Sequence, residues 1–212
     1  MPPVSAADDA RWMSDVDVRL DHRRIVEADL DWLAGVRRLT LWAVKLPPGL
    51  LARLPALEFL DVRGGTGTSA DFVAGCTRLR VLVVNQVRGM IDVSAIGQLQ
   101  SLELLSLYGL PRVTALPRAR RLAALRRVEL GSMKGLTGLD PVLEAPNLSE
   151  LQLIRSVYLS KNDVTAIRDH PTLQAFGWLA ENVPGKTWMP VVEAIDKPKP
   201  ALFRPEHWLD MT

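Results

Sequence analysis

The fold is decided by the stretch Leu102-Glu103-Leu104-Leu105-Ser106-Leu107, in which apolar residues occupy the first, fourth and sixth positions. The same pattern occurs seven times, at spacings of 21, 22, 23, 23, 23 and 25 residues. The first apolar column is Val36, Leu57, Leu79, Leu102, Leu125, Leu148 and Leu173. The second is Leu39, Leu60, Leu82, Leu105, Val128, Leu151 and Phe176, and the third is Leu41, Val62, Val84, Leu107, Leu130, Leu153 and Trp178. All 21 positions are apolar in a chain that is 48% hydrophobic, which indicates an internal repeat.

The spacing within the repeat predicts a short β-strand. The fourth and sixth positions are two residues apart, so their side chains point to the same side of a strand and into a core. So short a strand cannot bury its apolar face alone, but copies stacked in parallel about 4.8 Å apart bury a continuous core. A period near 23 residues leaves about 15 for the return crossing, enough for a short helix or a 3₁₀ turn.

The pattern L-x-x-L-x-L resembles the leucine-rich repeat of bacterial proteins with repeats of about 22–23 residues. The resemblance covers roughly residues 36–178, and the segment Ile91–Ile96 is similar to the return segment of that family. It implies an α/β solenoid: a right-handed superhelix with a parallel β-sheet on the concave face and short helices or 3₁₀ turns on the convex side. The Asn that the family places three residues after the third column is absent here. Those positions hold Val44, Gly65, Val87, Leu110, Met133, Ser156 and Glu181.

Composition narrows the functional class. The formal net charge of +2 is too small to imply a nucleic acid or a membrane surface as partner. The single cysteine, Cys76, cannot form an intrachain disulfide and suits a reducing compartment. Residues 1–9 lack the basic and apolar regions of a signal peptide, and no apolar run reaches the length of a membrane span. We therefore expect a cytoplasmic protein of bacterial type without a cofactor.

The pattern divides the chain into three segments. We expect residues 1–35 to form an N-terminal tail, disordered through residue 12, followed by a capping repeat. Its degenerate strand would place Met13, Val16 and Val18 in the three apolar columns. Residues 36–180 would form the leucine-rich repeats, with a longer or bulged return between the last two. Residues 181–212 would form a C-terminal cap, with a short helix starting at Trp188, and a Pro-containing tail.

The last stretch of the chain has two possible roles. Lys197-Pro-Lys-Pro200 predicts an extended polyproline segment. The residues after it are too apolar for a free tail, since they include Leu202, Phe203, Trp208, Leu209 and Met211. They either fold back over the open end of the core, because terminal repeats need covering, or dock on a partner or a second copy.

Few residues suggest catalysis or metal binding. Cys76 lies in an inward column otherwise occupied mainly by Leu and Ala, which favours a buried thiol over a nucleophile. His170 lies in the same column and is predicted to be structural. The acidic residues of 15–21 fit a solvated sheet edge better than a cation site. The Gly-rich stretch Arg63–Ser69 lacks the Lys and spacing of a phosphate-binding loop and predicts a turn. We predict no catalytic residue, no metal site and no enzyme activity.

A group of arginines stands out within 16 residues that contain no acid. Its members are Arg112, Arg118, Arg120, Arg121, Arg126 and Arg127. No aromatic residue is interleaved to stack on bases, which argues against nucleic acid. A solvated face is the favoured interpretation, and an acidic protein partner is the better of the functional alternatives.

The outward columns of the strands are the strongest candidate for a binding site. They combine aromatic and apolar residues with arginines and carboxylates, the composition of a protein interface core and rim. The candidate residues are Arg38, Trp42, Phe59, Asp61, Arg63, Asn85, Leu104, Tyr108, Arg127 and Glu129. We predict a non-catalytic module that binds a partner protein on its concave face; the alternative is a cytosolic inhibitor or immunity protein that occludes a toxin or an enzyme. A third alternative is that a terminal segment covers this face.

Overall fold

The computed structural model describes residues 6–211. Within that range one sheet of nine strands follows the order of the chain. The strands are β1 (Arg11–Ser14), β2 (Asp17–Asp21), β3 (Arg38–Trp42), β4 (Phe59–Arg63), β5 (Val81–Asn85), β6 (Leu104–Tyr108), β7 (Arg127–Met133), β8 (Glu150–Val157) and β9 (Ala175–Leu179). Strands β1 and β2 are antiparallel, and every later pair is parallel.

Short helices occupy the return crossings except the one from β6 to β7, where residues 109–126 form turns without a helix. The α-helices are α1 (Leu30–Leu33), α2 (Asp140–Leu143), α3 (Lys161–Arg168), α4 (Gly185–Ile195) and α5 (Trp208–Met211). The 3₁₀ helices are Ala7–Asp9, Glu27–Asp29, Leu51–Arg53, Asp71–Val73, Ser94–Gln98 and Pro205–His207. The molecule is thus the leucine-rich-repeat solenoid that the sequence predicts, with a parallel sheet on one side and short helical turns on the other.

The apolar columns run in register through the stack. Leu39 pairs with Leu60 and Leu41 with Val62, and the same relation continues to β9. Of the 21 column positions, 20 are buried and only Val62 is partly exposed. Each coil therefore covers the apolar side of its neighbour, as stacking requires.

The N-terminal cap differs from the prediction. Val18 pairs with Leu39 and Leu20 with Leu41, so the first inward pair lies two residues later than predicted. This register brings Leu20 into the core, whereas Met13 lies on β1 and is 58% exposed. The predicted disorder is wrong from Ala6 onward, because Ala6 is buried and its N–H donates to Asp29 Oδ1 at 2.8 Å. Residues 1–5, also predicted to be disordered, lie outside the described residues.

The last repeat carries the predicted longer return. Strand β8 has eight residues, and its pairing with β7 shifts between Gly131 and Met133. Helix α3 follows, with Ser160 as its N-cap. Asp163 is buried, and its carboxylate accepts hydrogen bonds from the N–H groups of Ser160 and Leu139, both at 2.8 Å. It thereby ties the start of α3 to the preceding coil.

The open end of the core is closed by α4. Ile195 is buried in the core, and Trp188, Val191 and Val192 pack against it. This helix includes the predicted capping segment that starts at Trp188. Asp196 ends it with a left-handed backbone, φ 49° and ψ 47°, and turns the chain away from the helix axis.

Replacing Asp163 with Ala should destabilise the C-terminal coils. The change leaves buried N–H groups without an acceptor, so we expect the free energy of unfolding to fall by about 2–4 kcal/mol. Chemical denaturation followed by circular dichroism measures this. Asp169→Ala is the control, since Asp169 is exposed and pairs with the neighbouring Arg168. Equal stability of the two variants would contradict the capping role.

Candidate protein-binding face

The ten predicted site residues lie on β3 to β7, on the side of the sheet opposite the core, here called the concave face. Strand register aligns them in three rows across neighbouring strands. The first row is Arg38, Phe59, Val81, Leu104 and Arg127. The second is Thr40, Asp61, Val83, Ser106 and Glu129, and the third is Trp42, Arg63, Asn85, Tyr108 and Gly131. The sheet therefore assembles the predicted residues into one surface.

Residues 197–211, here called the C-terminal segment, cross this face from β9 back to β3. At β9 the N–H of Phe176 donates to the carbonyl of Pro198 at 2.9 Å. Gly177 allows the segment to approach closely, because a Cβ there would lie 2.9 Å from Pro200 Cδ. The segment therefore lies on the concave face and not over the open end of the core, which was the first of its two predicted roles.

Trp208 anchors the segment in the middle of the sheet. This residue is 8% exposed and packs in a cluster with residues from three adjacent strands, namely Phe59, Val81, Val83 and Leu104. The indole N–H donates to Glu103 Oε2 at 2.9 Å, and Arg80 donates to both oxygens of the same carboxylate. Burial alone would raise the pKa of Glu103, but the hydrogen bonds from Arg80 and Trp208 outweigh it and hold that pKa below its usual value.

Arg127 forms a second anchor beneath the segment. Its side chain is 1% exposed; Nε donates to Glu129 Oε1 at 2.9 Å, and Nη1 pairs with Glu150. Nη1 also donates to the carbonyl of Ala201 at 3.1 Å, and the guanidinium carbon lies 4.2 Å from the centre of the Phe203 ring. A buried cation needs such partners, and the aromatic face adds a cation–π contact.

Arg38 holds the end of the segment at β3. Its Nη1 donates to the carbonyl of Glu206 at 3.0 Å, and its Nη2 pairs with the carboxylate of Asp210. The three anchors therefore lie at the two sides and the centre of the concave face.

The segment buries part of the predicted site. Phe59, Leu104, Arg127 and Glu129 are all less than 9% exposed, so they do not reach solvent while the segment is in place. The third alternative, in which a terminal segment covers the concave face, is thus correct for the middle of the sheet. Glu103 is not among the predicted site residues, because a single carboxylate next to the leucine columns has no pattern that distinguishes it from a solvated residue.

The rest of the face is partly open. Asn85 and Tyr108 are half-buried at the ends of β5 and β6, and a further opening lies at the N-terminal strands. Trp42 is 50% exposed, and the side chain of Arg63 is 37% exposed. Together with β1 and β2 they line a cavity of about 210 Å³. Its charged lining residues are Arg11, Arg19, Arg38, Arg63, Asp17, Asp21, Asp61 and Glu206. Four cations face four carboxylates, so the net charge of this surface does not select an acidic partner.

Asp61 lines that cavity, and its two carboxylate oxygens differ in their hydrogen bonding. Arg63 Nε and Nη2 both donate to its Oδ2, at 2.8 and 2.6 Å. Its Oδ1 is buried and has no hydrogen-bond partner among residues 6–211. Burial raises the pKa of Asp61 by more than Arg63 lowers it, and burial likewise raises the pKa of Asp17.

Stability should report the titration of Asp61. Because its pKa is raised in the folded state, the folded chain takes up a proton at higher pH than the unfolded chain does. The free energy of unfolding of wild type should therefore increase relative to that of Asp61→Asn as the pH falls from 7 to 4, which urea denaturation at each pH measures.

Asp92→Asn provides the contrast for that titration. The N–H of Ser94 donates to Asp92 Oδ1 at 2.8 Å and holds the pKa of Asp92 below its usual value. The stability of wild type relative to Asp92→Asn should therefore decrease as the pH falls, chiefly below about pH 4. The same sign for both variants would contradict the assignment for Asp61.

Cys76 and His170 have structural roles. Cys76 is 6% exposed, and burial raises the pKa of its thiol to about 11. His170 Nε2 donates to the carbonyl of Leu143 at 2.8 Å, while Nδ1 accepts from the N–H groups of Leu173 and Thr172 at 3.2 and 3.3 Å. Both ring nitrogens are thus engaged by the backbone.

The thiol of Cys76 should react slowly in the folded chain. A pKa of about 11 in place of 9.0 lowers the thiolate fraction at pH 8 about a hundredfold. We expect an aromatic disulfide reagent at pH 8 to label the native chain at least a hundredfold more slowly than the chain in denaturant. Equal rates would show that the thiol is accessible.

The arginine group is divided by the fold. Arg112, Arg118, Arg120, Arg121 and Arg126 are exposed, whereas Arg127 is buried beneath the C-terminal segment. In the Gly-rich stretch Arg63–Ser69 the chain leaves β4 and turns, with positive φ at Gly64 and Gly65. Residues 6–211 hold no group of three or more His, Cys, Asp or Glu placed to bind a metal ion. In the same range, no helix has the length and apolar character needed to cross a bilayer.

Comparison with known proteins supports the architecture. No protein-family model matches the chain, and no curated protein matches it. Among solved structures it is similar to an internalin (inlF) from Listeria monocytogenes, with 16% sequence identity and a TM-score of 0.55. The match covers 76% of this chain and 48% of the internalin chain, so it spans about half of the internalin. At that identity the similarity concerns the leucine-rich-repeat fold.

Proposed function

We propose that this chain is a non-catalytic module that binds a partner protein on its concave face, where the C-terminal segment leaves it open. The observation that carries the proposal is the position of Trp42, half-exposed at the end of β3 and next to the ion pair of Arg63 and Asp61. An aromatic residue surrounded by arginine and carboxylate groups on a rigid sheet is typical of a binding hot spot.

Catalysis is not part of the proposal. A buried thiol and a histidine bonded to the backbone at both nitrogens are poor nucleophile and base candidates. The cavity beside Trp42 offers paired charges and no convergent nucleophile. We therefore propose recognition of a protein without a cofactor, and a cytoplasmic location suited to the single reduced cysteine.

A second candidate is the narrower role of an inhibitor that occludes a toxin or an enzyme. It is favoured by the density of alternating charges around the same cavity, since such complementarity speeds association and excludes wrong partners. Stoichiometric loss of the partner's activity on complex formation would support the inhibitor, and unchanged activity would support a scaffold.

Removing the Trp42 side chain should weaken partner binding. Truncation of a tryptophan hot spot costs about 2 kcal/mol or more, so we expect Trp42→Ala to lower the recovery of a co-purifying partner from the source cell at least tenfold. Quantitative mass spectrometry after affinity capture measures the recovery.

Trp12→Ala is the matched control for that experiment. Trp12 is 48% exposed, similar to Trp42, and lies on β1 with its ring 6.0 Å from that of Trp32. Its variant should retain the partner. If Trp42→Ala and Trp12→Ala recover the partner equally well, the open part of the concave face is not the binding site.

A further inference from the structure

The surface beneath the C-terminal segment is built by the repeats alone. Phe59, Val81, Val83 and Leu104 come from three adjacent strands and are fixed by strand pairing. Arg127 is held in place by Glu129 and Glu150, which also belong to the sheet. Because the site's shape and charges arise from the strands, it does not depend on the segment for its construction.

The segment is bound as a short peptide would be, without helix over residues 197–204 and helical from Pro205 to Met211. One backbone hydrogen bond, from Phe176 N to Pro198 O, ties it to the edge strand, and the other contacts use side chains of the sheet. Its two aromatic residues, Phe203 and Trp208, stack at a centroid distance of 5.6 Å. Between the anchors it is in part open to solvent, since Leu202 is 72% exposed.

We infer that the covered part of the concave face is a peptide-binding site, that the C-terminal segment is its resident ligand, and that a partner enters it by displacing that segment. The entering sequence would carry two aromatic residues five positions apart and a carboxylate two positions after the second, with a helical turn that begins before the second aromatic residue, as in the resident segment. This order matches Phe203, Trp208 and Asp210, which meet Arg127, the apolar cluster and Arg38. The inference rests on the proposed function and names the chemistry of the partner.

A partner segment can displace the resident one, because the advantage of the resident segment over an equal competitor is its covalent attachment to the chain. A short tether gives an effective concentration of the order of millimolar, so a partner segment must exceed the intrinsic affinity of the resident one. Uncovering the apolar cluster without a replacement would expose the kind of patch that soluble proteins rarely leave bare. Exchange of one segment for another avoids that exposure.

The test uses the full chain and a labelled synthetic peptide that copies residues 198–211. Fluorescence anisotropy would follow its binding to wild type and to the full-length Trp208→Ala variant, in which the resident anchor is removed. We expect at least tenfold tighter binding to the variant, and no binding by a labelled peptide that itself carries Trp208→Ala. Leu202→Ala is the matched chain control, since Leu202 is exposed, and it should behave as wild type.

Several results would overturn the inference. These are no binding to Trp208→Ala, equal binding to this variant and wild type, or equal binding by the peptide that lacks the tryptophan. Appearance of a dimer that exchanges segments between two copies would assign the site to self-association instead. The test is distinguishable from that of the proposed function, because Trp42→Ala should bind the peptide as wild type does.

A second measurement covers the case in which Trp208→Ala does not fold. A specific protease site inserted after the exposed Asp196 allows the segment to be cut from the folded full chain. We expect the cut segment to remain bound and to be replaced by the labelled copy in excess. Unfolding on cutting, or failure to exchange, would show that the segment is a permanent part of the fold.

Discussion

The constraint on which this molecule depends is that a five-residue strand buries its apolar side only when another coil stacks on it. Backbone hydrogen bonds fix the neighbouring strands in register, and the register places each leucine column in a single line through the core. The same register aligns the outward side chains, so a row such as Arg38, Phe59, Val81, Leu104 and Arg127 follows from it. The concave face is thus a product of the same pairing that makes the core.

The concave face carries buried charged residues, which a surface that only contacts water does not need. Arg127 is buried yet satisfied by two carboxylates, a carbonyl and an aromatic ring. Asp61, in contrast, keeps one buried oxygen without a partner among residues 6–211. The two residues thus mark two parts of the face. Arg127, with all its partners, lies in the part that the C-terminal segment covers, and Asp61, with one oxygen unbonded among the described residues, lies in the cavity that the segment leaves open.

The sequence predicted the repeats because their signal is periodic and local. The columns, the solenoid, the buried Cys76 and the bonded His170 all follow from positions within a 23-residue period. The first strand was placed two residues early because Met13, Val16 and Val18 fit the same spacing as the true pair, Val18 and Leu20. Apolar spacing cannot distinguish these registers, whereas the hairpin with β1 does.

The path of the C-terminal segment could not be predicted from the sequence, because it depends on contacts between residues that are far apart in the chain. The pairing of Trp208 with Glu103 spans 105 positions, and that of Arg38 with Asp210 spans 172. Neither partner has a signature in its own repeat. The apolar composition of residues 201–212 indicated that they pack somewhere, but the location is set by the shape of the finished sheet.

These distant contacts also alter how the molecule holds together as a whole. In a one-dimensional array each coil touches only its neighbours, so an end can fray while the middle stays folded. The C-terminal segment links β9 with β3 directly and so couples the unfolding of coils that do not touch each other. A partner that displaced the segment would remove this link, so the coils at β9 and at β3 would fluctuate more independently of each other.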